Sequence, residues 1–125
     1  MKMKTSKGLL LVLPVLGILA FSPRAEAVNE QWKYLGTNED AERFFYDSGS
    51  VIYLPGNIVN VWVKELSREP VRKLEEIRCP DKVIRSLQVI SEGQRISPSR
   101  LRDYYGWRLM EQSPPMLELY KALCR

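Results

Sequence analysis

The sequence has no histidine and only two cysteines, Cys79 and Cys124, in 125 residues. The missing histidine removes Ser-His-Asp and Cys-His nucleophilic sites, the usual zinc ligand and the C-x-x-C-H haem attachment. Neither G-x-x-x-x-G-K-[ST] nor G-x-G-x-x-G occurs, so the glycine loops that cradle phosphates are lacking. The longest uncharged apolar run, Leu9 to Phe21, has 13 residues; a spanning helix needs about 20. Repeats, low-complexity tracts and linkers are absent too.

What is present begins with an export signal. Lys2, Lys4 and Lys7 precede the apolar run, and Ala25-Glu26-Ala27 follows it. A basic start, a short apolar stretch and an A-x-A ending predict a cleaved signal peptide over residues 1–27; an uncleaved anchor is the competing reading. No cysteine lies near the cleavage point, which argues against a lipid-anchored form. The remaining domain, residues 28–125, has no transmembrane segment. Three of the four net positive charges belong to the signal, so the basic balance is a targeting feature and nucleic acid is not an expected partner.

Export places the chain in an oxidising compartment, the periplasm or the outer cell surface, where two cysteines usually join. A redox or metal pair is the alternative, although metal sites favour closer spacings and more ligands. Period-2 alternation with β-branched and aromatic residues marks strands at 32–36, 41–47, 51–54, 58–66, 74–79 and 82–90. IVNVWVKEL (58–66) is apolar on both faces and reads as central. SREPVRK reads as a polar connection, TNED, PGN and CPD as turns, SGS as a break after the second strand, and SEGQ as a hairpin turn. RISPSRLRDYYGWRLM, residues 95–110, reads as a loop around Pro98 and then extended chain through Tyr104, Tyr105 and Trp107. The end changes period: Ser113 is a good N-cap, Pro114 suits the first helical position, and Leu117, Tyr120 and Cys124 form one helical stripe. A helix this short must dock, and the bond from Cys124 to Cys79 would staple it to the strands.

The order WKYLG, RFFYDSGS, GNIVNVWVK, EIRC, a tryptophan, then SPP and LYKALC resembles the surface-adhesin protein E family of exported bacterial domains. The match runs from Trp32 to Cys124. It implies an α+β fold: a single curved antiparallel sheet of about six strands, with a C-terminal helix docked on it by a disulfide. Cys79 and Cys124 match that pair residue by residue. It also implies adhesion to host matrix and plasma proteins, and hence a protein or other macromolecular ligand at the cell envelope. RISPSRLRDYYG departs from the plainer hairpin expected before Trp107.

No reaction is spelled out: the expectation is a non-enzymatic binding domain without a cofactor or metal. Glu75 and Glu76 point to opposite faces of a strand and read as ordinary charges at a sheet edge or rim. Glu39, Asp40 and Asp47 lack the spaced acidic loop of a calcium site. The candidate binding surface is Arg100, Arg102, Tyr104, Tyr105 and Arg108, with Arg95 and Trp107 nearby, because arginine plus aromatics is hot-spot composition. The rival reading puts Trp107 and one tyrosine in the core and leaves the arginines solvated. One short helix cannot cover a six-stranded sheet, so a homodimer through the open sheet face is a further expectation. A periplasmic structural or accessory subunit of an envelope complex is the alternative function, and a hydrolase using carboxylates alone is a third.

Overall fold

Alternation along Ile58–Leu66 buries Val59, Val61, Val63 and Glu65 on one side and leaves Ile58, Asn60, Trp62 and Lys64 half-exposed on the other. In the computed structural model this strand is central, as expected, and its two faces have different fates. The structure describes residues 30–125 apart from Gln94; the signal read over residues 1–27 lies outside them.

The described strands are β1 (Trp32–Thr37), β2 (Arg43–Asp47), β3 (Ile52–Leu54), β4 (Ile58–Leu66), β5 (Val71–Arg78), β6 (Val83–Ser91) and β7 (Arg108–Leu109). All pair antiparallel in one curled sheet, in the order β1-β2-β4-β5-β6-β7. β3 pairs with the first residues of β4, on the edge whose far end is occupied by β2. β2 and β3 are therefore two halves of one strand position, interrupted by the 3-10 turn Ser48–Ser50. Ser50 Oγ accepts the Trp62 N–H across the gap. The result is the expected six-stranded sheet with one strand broken.

Two helices, α1 (Pro98–Tyr105) and α2 (Pro114–Leu123), pack on the same face. Under α2, Met116, Leu119 and Leu123 join Leu35, Phe44, Val59, Val61, Val63, Ile77 and Ile84 in the main core. The buried stripe is thus one residue earlier than the expected Leu117, Tyr120 and Cys124, which are half-buried beside it. Gly36 has φ 149, a conformation that favours glycine, and β1 packs there against Pro115 of α2. Cys79 and Cys124 are joined, 45 residues apart, and tie the end of α2 to the end of β5.

Three readings need correction. Residues 98–105 are helix, not extended chain: Ser97 Oγ accepts the Arg100 N–H at 3.3 Å and Pro98 opens the first turn. The turn at SEGQ is consequently not a hairpin, since α1 carries the chain to β7 on the far edge of β6. Val71–Lys73 is not a connection but the start of β5.

Candidate binding surface

The arginine–tyrosine stretch divides. Because it is helical, Arg100 and Tyr104, four apart, share the face turned to the sheet, and Arg108 on β7 points the same way. Arg102 and Tyr105 remain exposed on α1. The inward group meets a buried polar layer that the sequence reading missed. Lys73, Glu65, Glu75 and Ser86 are all at least 96% buried, on the inner faces of β4, β5 and β6.

Two carboxylates organise this layer. Glu65 Oε1 accepts from Lys73 Nζ at 3.2 Å; its Oε2 accepts from Arg100 at 2.8 Å and from the Tyr104 hydroxyl at 3.1 Å. Glu75 Oε1 accepts from Ser86 Oγ at 2.5 Å, and its Oε2 lies 3.6 Å from both Lys73 Nζ and an Arg108 nitrogen. Arg100 also pairs with Glu69. The Tyr104 ring is within 4.4 Å of Lys73, 5.4 Å of Arg100 and 5.9 Å of Arg108. Burial first, and then the Glu65 charge, push the Tyr104 phenol well above its ordinary value. Three cations and three carboxylates balance, and the layer separates the main core from a small one of Val71, Ile96 and Tyr104 under α1. Glu75 is thus not a rim charge, although Glu76 does face the opposite way and pairs with Arg85 at 2.7 Å. The missed signal was parity: Val71, Lys73 and Glu75 share the face of Ile77 and Cys79.

The other face of the sheet carries no helix among the described residues. Trp32, Trp62 and Trp107, all of the chain's tryptophans, lie on it. So do Tyr34, Ile52, Leu54, Leu87, Trp107 and Leu109, which make up six of the eight large apolar side chains exposed among the described residues. Leu87 is the extra residue of a β-bulge, since Leu74 opposes Gln88 and Glu75 opposes Ser86. The rival reading of the sequence therefore holds for Tyr104, which is core, and fails for Trp107, which is 41% exposed.

Cations are laid over these rings. Lys64 Nζ is 4.5 Å from the Trp32 ring and 5.5 Å from that of Phe45. The Arg78 and Arg85 guanidiniums are 4.8 and 4.6 Å from the Trp107 ring. The carboxylates nearby are occupied: Glu76 by Arg85, Glu92 by Arg72, and Asp47 by the N–H groups of Gln31 and Gly49. Among the described residues Lys64 and Arg78 have no carboxylate partner.

An open cleft where the start of β2, the end of β4 and α1 meet is bordered by Asp40, Glu42, Arg43, Arg68, Glu69 and Arg100. Its charges balance and its apolar walls are only Ala41 and Leu66, so it offers little to hold a small molecule. No described helix is long and apolar enough to cross a membrane. Set against protein-family models, curated proteins and solved structures, the chain matches none.

Proposed function

We propose that this chain is an exported binding domain, of the kind its resemblance to the surface-adhesin protein E family implies, and that it binds through the helix-free face of its sheet. The observation that carries the reading is the gathering of all three tryptophans and most of the exposed apolar side chains on that one face. Exposed patches of this sort mark interaction sites, and Trp, Tyr and Arg dominate binding hot spots. The disulfide suits an oxidising compartment, periplasm or cell surface. Binding rather than catalysis is favoured because the buried carboxylates among the described residues are all engaged: Glu65 and Glu75 are enclosed by Lys73, Arg100, Arg108 and Ser86, and Asp47 accepts the Gln31 and Gly49 N–H groups.

The second reading, an accessory subunit of an envelope complex, draws support from the aliphatic corner formed by Ile52 and Leu54, which suits a permanent protein neighbour. A homodimer through the same face is disfavoured by charge, since Lys64 and Arg78, which have no carboxylate partner among the described residues, are both cations. Protease added to intact cells separates the readings. A surface binding domain is digested, and the purified protein rebinds to cells lacking it. An accessory subunit is protected until the envelope is opened.

A further inference from the structure

We infer that the helix-free face binds a linear anionic polysaccharide laid across the sheet; this rests on the binding reading above and names its partner. The argument starts from two stations of the same kind. At one, the Lys64 ammonium lies over Trp32 and Phe45; at the other, the Arg78 guanidinium lies over Trp107. Each presents a cation on an aromatic ring, and neither cation has a carboxylate partner among the described residues.

Their separation follows from register. Arg78 pairs with Ile58, and Lys64 is six residues further along the same strand. At about 3.4 Å per residue the stations are roughly 20 Å apart. One small anion cannot reach both, whereas a chain of acidic units can. Trp62, paired with Leu74, lies between them and continues the aromatic surface.

The composition of the face narrows the class. Aromatic rings take the C–H faces of sugars, and cations held on those rings meet carboxylate or sulfate groups without first breaking an internal ion pair. A second copy of this chain would set Lys64 and Arg78 against other cations. A neutral glycan would leave both cations unused. The Glu76–Arg85 ion pair amid the apolar groups opposes immersion in a lipid surface.

Binding of the purified protein to dextran sulfate, polygalacturonate, neutral dextran and polyglutamate, followed by tryptophan emission, tests the inference. The expected result is saturable binding to both acidic polysaccharides, none to dextran, and binding to polyglutamate weaker by about tenfold or more. Lys64→Glu, Arg78→Glu and Trp107→Ala should each weaken polysaccharide binding by about tenfold, with Arg78→Gln as the milder check should a reversal disturb folding. Arg102→Glu, a charge reversal on the opposite side, should leave it unchanged. Equal binding of polyglutamate, binding of dextran, no binding at all, or equal loss in Arg102→Glu overturns the inference. Rebinding to intact cells that survives any of those results would leave the binding reading standing without this partner.

Discussion

Lys73 holds its ammonium 3.2 Å from the Glu65 carboxylate, with both side chains almost wholly removed from water. The same ammonium is 3.6 Å from Glu75, which is fully buried. Removing one partner of such a pair leaves an uncompensated charge inside the protein. Lys73→Met should therefore destabilise the fold by about 3–5 kcal/mol in urea titration. Adding Glu75→Gln should recover part of that loss, because one stranded charge is then gone. Losses that simply add would show that Lys73 and Glu75 are not coupled.

Tyr104 supplies a pH signature. Its phenol is raised by burial and by Glu65, so the native state keeps the proton after the unfolded chain has begun to release it. The favourable contribution is complete below the unfolded value, near pH 10, and falls away as pH rises beyond it. Melting curves between about pH 9 and 11 should show a decline in stability that Tyr104→Phe makes shallower. A variant with the same alkaline slope as the parent would contradict this.

The disulfide closes 45 residues. The chain-entropy model assigns such a loop about 4 kcal/mol. Cys124→Ala should lower the melting temperature by on the order of 15–30 °C and loosen α2. An unchanged melting temperature would mean that the main core holds α2 without help.

Ala41 has φ 62, a left-handed conformation that an L-residue adopts at a cost of about 1–2 kcal/mol. Asn38 enforces it: Oδ1 accepts the Asp40 and Glu42 N–H groups, and Nδ2 donates to Glu42 Oε1. Glycine escapes that cost but is looser in the unfolded chain by about 0.5–1 kcal/mol. Ala41→Gly should stabilise the protein by roughly 0.5–1 kcal/mol in urea titration; a loss of stability would contradict the reading of the turn.

Much of this fold was legible because period-2 alternation is strong in β4 and β6, and because Ser113-Pro114 announces α2. The same Ser-Pro signature stands at Ser97-Pro98. There the signature lacks support from periodicity, because α1 buries only Tyr104 and its helical period is faint. The stripe on α2 slipped by one residue because Met116 and Leu117 are both apolar and spacing alone does not choose between them. The buried layer was illegible for a different reason. Lys73 reads as part of a polar connection and Glu75 as a rim charge until α1 and β7 are known to bring arginines over them. The bare face was half-legible: an excess of apolar side chains was evident from the strands, but not that every tryptophan would share that side.

The most direct test of the account is hydroxyl-radical footprinting of the purified protein, free and bound to envelopes isolated from cells that lack it. The account predicts that Trp32, Trp62 and Trp107 become protected on binding while Tyr105, exposed on α1, reacts as before. Protection of Tyr105 with all three tryptophans unchanged would move the binding surface to the helical side and contradict the central claim.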